Sequence, residues 1–335
     1  MVRRQALHQW LTPYYPVPFE AIQPASSDAS FRRYFRVMTP EGSRILMDAP
    51  PDKEDCHSFV RVSRLFAEAG VHVPRILAWE EKLGFMMLED FGETSYLSAL
   101  QTGAGQGQSA DTLYGNALGA LVYIQRASRD GVLPPYDRTL LQREIDLFPE
   151  WYVQKHLGVV WTTQERAVFG TVVQGLLDAI EGQARVWVHR DYHTRNLMVA
   201  SPDPGVLDFQ DAVQGPVTYD AVSLLKDAYI DWEEARVLDW LVRYWERARA
   251  AGIPVGEDFG AFYQDFEWMG VQRHLKVLGI FARLAQRDGK TGYLSDMPRV
   301  EKYLMATCRR YKALQPLVPI LERSWKIPSR TGYTF

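Results

Sequence analysis

Apolar positions along this chain recur at two spacings, and the change from one to the other divides it. Leu7, Trp10 and Leu11 fall on one side of a short helix over 3–12, which Pro13 and Pro16 end. Residues 26–30, SSDAS, read as a small-residue turn into a strand over 31–38, in which Phe31, Tyr34 and Phe35 alternate only loosely. A turn at 40–42, PEG, leads to a second strand over 44–48. Phe59, Val62, Leu65, Phe66 and Ala69 then follow helical spacing, with Asp52 as the cap in front and Gly70 as the stop. Segments 73–79 and 84–89 form a hairpin. The Gly/Gln-rich run 102–109 reads as a linker. Beyond it the pattern is mainly helical, with helices expected near 111–128, 138–156, 163–181, 217–229, 232–250, 258–286, 298–313 and 317–325. TTQE at 162–165 is a capping box for the third of these, and Gly182 closes it. No internal repeat appears.

The helical half is interrupted at 186–211 by VWVHRDYHTRNLMVASPDPGVLDFQD, three short apolar runs separated by polar loops. The first loop carries His189, Asp191 and Asn196, and the last run ends in Asp208. An Asp followed five residues later by Asn, then by a second Asp just past an apolar strand, is an arrangement that phosphoryl transfer uses. Asp191 is the candidate to orient an attacking hydroxyl and accept its proton. Asn196 and Asp208 offer hard oxygens to Mg²⁺, which takes one or two carboxylates and fills its shell with phosphate oxygens. The plain alternative is a polar surface loop followed by a hairpin.

The segments HRDYHTRN at 189–196 and VLDFQD at 206–211 resemble the catalytic and metal-binding segments of the aminoglycoside phosphotransferase family. That resemblance implies an α+β, protein-kinase-like fold of two lobes, a small β-rich one over 1–92 ending in a hinge and a larger, mainly helical one over 93–335. Tyr219 and Asp220, opening the next helix, resemble the family's structural Asp, and His189 is expected to brace the loop. SDASFRRYF at 27–35, LMDAPP at 46–51, FPEWY at 148–152 and QRHLKVLGIF at 272–281 resemble more narrowly the bacterial anomeric amino-sugar kinases of cell-wall recycling. Those enzymes phosphorylate N-acetylmuramate and N-acetylglucosamine at C1, so the implied partners are ATP, Mg²⁺ and a small amino sugar.

Composition changes this picture little. The chain has 335 residues, enough for two domains. A net charge of −3 gives no electrostatic footprint for nucleic acid or an anionic membrane. Two cysteines make a disulfide framework an unsuitable reading. No apolar run approaches the ~18 residues of a membrane helix, and the first fifteen residues lack the apolar core of a secretory signal. A cytoplasmic monomer is the default expectation.

The nucleotide side departs from the kinase pattern. No glycine occurs in 26–30, so Ser27 and Ser30, or backbone N–H groups between them, are the candidates to cover the triphosphate. The lysine that such kinases carry on the next strand is missing, and Met47 and Asp48 stand there. Arg32, Arg33 or Arg44 is expected to replace it, since guanidinium suits bidentate phosphate contacts; a solvated strand face is the alternative. Glu54 and Asp55 are candidates for the carboxylate of the following helix. The segment 88–92, LEDFG, corresponds to the adenine-binding hinge, with contacts expected at Leu88 and Asp90.

On the acceptor side, Glu150, Trp151 and Tyr152 place a carboxylate beside two aromatic rings, as sugar pockets do. Arg273 and His274, with Lys276 nearby, are candidates to hold the lactyl carboxylate of muramate, and His193 and Arg195 to touch substrate or phosphate. An amphipathic helix with a solvated face competes with that reading. Three other functions stay open, the first a protein kinase, against which stand DFQ at 208–210 in place of DFG and the lack of VAIK and APE motifs. An aminoglycoside, choline or other small-molecule kinase would share every catalytic residue, although a cationic drug calls for an acidic pocket. A nucleotide-binding module without activity is supported only by the missing lysine.

Overall fold

Alternation in the N-terminal half produces a sheet, and the computed structural model, which describes residues 2–27, 31–102 and 108–326, resolves its register. After α1 (Val2–Leu11) come β1 (Gln23–Ser27), β2 (Arg33–Thr39) and β3 (Gly42–Asp48). Then follow α2 (Cys56–Glu68), β4 (Ile76–Glu80) and β5 (Phe85–Glu89). The five strands lie in the order β1-β2-β3-β5-β4, all antiparallel. Leu7 and Leu11 of α1 close one face, against Phe35, Val37, Leu46 and Met87. Each large side chain so buried contributes roughly 1.5–3 kcal/mol.

The chain divides into two compact units, Met1–Ile124 with Thr194–Ala212, and Gln125–His193 with Val213–Phe335. The first therefore extends past the expected boundary at residue 92. It adds α3 (Tyr96–Thr102), α4 (Ala110–Arg126) as far as Ile124, and the hairpin of β7 (Leu197–Met198) and β8 (Gly205–Val206). The hairpin is fastened inside that unit by backbone bonds between residues distant in the chain. Leu97 N–H donates to Thr194 O at 3.0 Å, and Val206 N–H to His72 O at 2.8 Å. Gly205 is required there, because a Cβ would meet the Phe91 ring at 2.4 Å. Of the expected linker, 103–107 lie outside the described residues.

The second unit is built around α9 (Phe259–Asp288), which Asp258 caps. Packed around it are α5 (Arg138–Ile145), a π-helix (Phe148–His156), α6 (Thr163–Glu181), α7 (Tyr219–Leu225) and α10 (Met297–Arg310). The remaining elements are β6 (Arg185–Val188), paired antiparallel with β9 (Val213–Pro216), then α8 (Glu234–Ala250) and α11 (Leu317–Ser324). Thr162 and Glu165 form the expected capping box of α6. Two local expectations differ. The helix expected over 138–156 breaks after Ile145, because Pro149 donates no hydrogen bond and its ring clashes with the carbonyl four residues earlier. Asp55, not Asp52, caps α2, accepting from His57 N–H at 2.9 Å. Sheet and helices together give the expected α+β class. Among the described residues no helix is long and apolar enough to cross a membrane, and Cys56 and Cys308 are buried free thiols.

Candidate active site

In the first unit the candidate metal residues stand side by side. Leu207 N–H donates to Asn196 O at 2.9 Å, closing the hairpin, and Asn196 Nδ2 lies 3.4 Å from Asp208 Oδ2. Asp208 sits in the left-handed region at φ 61°, a conformation that Asp tolerates better than most residues. Gln210 Nε2 donates to Asp208 Oδ1 at 2.9 Å. An amide and a carboxylate, side by side at the open end of one short hairpin, offer oxygens that fit Mg²⁺ sharing its shell with phosphates.

Helix α2 carries that turn. Phe59 and Phe66 pack on the Phe209 ring at centroid distances of 4.9 and 6.1 Å. Ser58 Oγ donates to Gln210 O at 2.6 Å.

The three candidate arginines separate by their partners. Arg33 pairs with the fully buried Asp48, as does Arg3 at 2.6 Å. Arg44 bonds to Ser43 O at 2.8 Å and sits 3.4 Å from Glu41, within the β2–β3 turn. Arg32 is the buried one, 8% exposed. Its Nη2 lies 3.6 Å from Asp208 Oδ1 and its Nε 3.8 Å from Glu54 Oε2. Glu54 also accepts from Phe31 N–H at 2.9 Å. The positive charge therefore reaches the metal turn from the residue before β2 rather than from β3.

Elsewhere in this unit, Ser27 ends β1, and Ser30 lies outside the described residues. Leu88 is inside β5, paired to Ile45 on one side and Ile76 on the other. Its main chain thus lies within the sheet, and the chain leaves the ladder only after Glu89. The Asp90 carboxylate is held by Arg36 at 2.6 and 3.0 Å, Ser43 Oγ at 2.5 Å and Gly92 N–H at 2.8 Å. Burial would raise its pKa, but the bonds from Arg36 and Ser43 pull it below the ordinary value. Arg195 is exposed.

In the second unit, the loop carrying Asp191 is clamped through its backbone. Asp220, fully buried, accepts from His189 N–H at 2.6 Å and from Arg190 N–H at 3.0 Å. Arg190 takes a left-handed φ of 78°, and its carbonyl accepts from Arg273 Nη1 at 2.9 Å. Beneath lies a buried charge network. Glu144 receives Arg190 at 2.7 Å and Lys276 at 3.0 Å, together with the Tyr136 hydroxyl. The Tyr219 hydroxyl receives Arg273 at 3.0 Å and Lys276 at 2.9 Å. Burial alone would lift the Asp191 carboxyl, but Lys276 and Arg273 more than offset it and hold it at about 2. Burial pushes Asp220 up to about 7, against the two N–H donors. Asp191 is thus ionised at any ordinary pH, as a proton acceptor must be.

Three expected acceptor contacts do not face solvent. Tyr152 is fully buried, stacks on Phe148 at 5.1 Å and bonds to Glu301. Arg273 is 6% exposed and donates to the protein's own acceptors, as above. His274 is 2% exposed, with its ring on Tyr303 at 5.3 Å. The π-helix turns Trp151 and Glu150 outward from Tyr152: Trp151 lies under Lys155 Nζ at 3.4 Å, and Glu150 pairs with the same ammonium at 2.8 Å. His193 is half-buried, edge-on to Tyr229 at 5.3 Å. Glu144 escaped the sequence reading; a buried acid in an otherwise apolar helical stripe was its only signal.

A profile described as "Phosphotransferase enzyme family" matches residues 21–255. A Neisseria meningitidis protein named N-acetylmuramate/N-acetylglucosamine kinase is 49% identical over 338 residues, covering all of both chains. A Pseudomonas putida protein of the same name is 50% identical over 301 residues, 90% of this chain and 87% of that one. Among solved structures, a choline/ethanolamine kinase family protein from Mesorhizobium loti superposes with a TM-score of 0.62 at 15% identity, covering 96% of this chain and 99% of that chain.

Proposed function

The chain belongs to the phosphotransferase enzyme family, and from that premise we propose that it is an ATP-dependent kinase acting on the anomeric hydroxyl of N-acetylmuramate and N-acetylglucosamine. The observation that carries the substrate is the end-to-end match, at about half identity, to relatives named for those two sugars. What supports the chemistry is an ionised Asp191 on a backbone-clamped loop, together with paired metal oxygens on Asn196 and Asp208.

In this reading Asp191 orients the C1 hydroxyl and takes its proton as the oxygen attacks the γ-phosphorus, while the bond from that phosphorus to the β,γ-bridging oxygen breaks and ADP leaves. A hemiacetal hydroxyl is more acidic than an ordinary alcohol, so a strongly ionised carboxylate suffices. Asn196 and Asp208 would hold Mg²⁺, which when bound with ATP would supply charge neutralisation on the phosphates. Arg32 adds a second positive charge to the phosphates while Glu54 fixes the Arg32 side chain. Main-chain groups of Asp90 and Phe91, just past β5, read the adenine, and Ser27 and Ser30 are the candidates to cover the triphosphate. Glu150, Trp151, His193 and Arg195 contribute to acceptor recognition. Catalysis is then positioning plus electrostatics, without a covalent enzyme intermediate. The lobes are divided functionally at the hinge, 1–92 and 93–335, and the enzyme works as a cytoplasmic monomer in peptidoglycan recycling.

The test is ATP consumption by the purified protein against N-acetylmuramate, N-acetylglucosamine, an aminoglycoside and choline. Turnover confined to the amino sugars supports the reading. Turnover only with the aminoglycoside or choline replaces it with another kinase of the family.

A further inference from the structure

Helix α9 changes character two turns beyond the clamp on the Asp191 loop. Arg273 and Lys276 are buried, and their donors are taken by Arg190 O, Tyr219 and Glu144. Neither is placed to serve a ligand. At steps of three residues along the same helix come Val277, Ile280 and Arg283, all partly exposed. At 100° per residue, Ile280 and Arg283 fall within about 40° of Lys276, and a rise of 1.5 Å per residue sets Arg283 about 10 Å further along.

Arg283 differs from its buried neighbours in what meets it. Its Nε–H is shielded from solvent and donates to no partner, and among the described residues no carboxylate forms an ion pair with it. Burial lowers its proton affinity, and Arg287 lowers it further. The two acids that act on it are occupied: Asp288 by Arg287 at 2.7 and 2.9 Å, and Glu150 by Lys155 at 2.8 Å. A shielded donor on a partly buried guanidinium without a bonded anion is an unfavourable arrangement. Walls flank this stretch. The π-helix lies so close on one side that a Cβ on Gly279 would meet Leu147 Cβ at 2.5 Å. On the other side, Tyr229 and Tyr293 pack against Phe281 at 6.1 and 5.0 Å, and Tyr229 continues to His193 of the Asp191 loop.

We infer that Arg283 receives the carboxylate of an acidic amino-sugar acceptor, the lactyl group of N-acetylmuramate, with Val277 and Ile280 beneath the pyranose. The carboxylate hangs from O3, two ring carbons from C1 and its reacting oxygen. A cation displaced along α9 from the Asp191 clamp suits that geometry. The inference rests on the kinase reading above and adds which side chain distinguishes the acidic sugar from the neutral one.

The experiment compares kcat/KM for N-acetylmuramate and N-acetylglucosamine in the wild type, Arg283→Met and Arg283→Lys. Transfer to the neutral sugar reports the folded fraction, so the ratio of the two values is independent of it. A charge-assisted contact of ordinary strength predicts that Arg283→Met lowers the muramate-to-glucosamine ratio about tenfold or more, through KM for the acidic sugar. Arg283→Lys should recover part of it. Wild-type transfer to both sugars with an unchanged ratio in Arg283→Met overturns the inference and leaves the kinase reading intact. A wild type that transfers to neither sugar overturns both.

Discussion

Arg273 Nη1 donates to the carbonyl oxygen of Arg190 at 2.9 Å, so a residue eighty-three positions away fixes the peptide that leads into Asp191. Asp220 holds the preceding N–H groups from the other direction. An Arg273→Met enzyme loses one side of this clamp. Its kcat should fall about 100-fold, the cost of a misplacement on the order of 1 Å, while KM for ATP changes little. Steady-state kinetics beside a thermal melt would check this; a loss explained wholly by unfolding would refute a positioning role.

The pH profile follows from the charges around Asp191. Its folded-state pKa is depressed to about 2, so the base form is complete across the neutral range and its contribution to stability is lost only as pH falls from about 4 towards 2. Removing a cation raises that pKa. Lys276→Met should therefore shift the acidic limb of kcat/KM upward relative to wild type. An acidic limb that stays in place would show that Lys276 does not act on Asp191.

Arg32 is the arginine expected to matter for nucleotide. Arg32→Met should raise KM for ATP by about tenfold, as loss of a charged hydrogen bond does, with Arg32→Lys between it and wild type. Arg33→Met should act on stability instead, because it removes one of the two cations that neutralise buried Asp48. ATP titrations and urea midpoints of the three variants separate the two effects.

Glu144 supports the loop from below. Glu144→Leu leaves Arg190 and Lys276 without their shared carboxylate, and breaking a buried pair costs about 3–5 kcal/mol. Glu144→Gln keeps hydrogen-bonding capacity and should lose less. Denaturant unfolding of both variants gives the comparison.

Much of this was readable from the residues, and the failures have local causes. The run 186–211 announced its strands and polar loops because short apolar runs, turn residues and acids fall in sequence. By contrast α3 and β9 depend on partners distant in the chain, Thr194 for one and β6 for the other. The π-helix was hidden because its apolar residues continue the spacing of α5, and only Pro149 marks the break. Arg273 and His274 read as a possible pocket or solvated face, since a sequence does not display the tyrosine and glutamate that let cations be buried. Arg32 could not be told from Arg33 and Arg44 until Asp48 and Glu41 were seen to engage the other two.

The most direct measurement is the phosphorus NMR spectrum of the product formed from N-acetylglucosamine, ATP and Mg²⁺ by wild type and Asp191→Asn. The account predicts a sugar phosphate coupled to the anomeric proton, with the reducing end consumed, and no such product from Asp191→Asn. Phosphate on another hydroxyl with the reducing end intact, or an equal yield from Asp191→Asn, would contradict it.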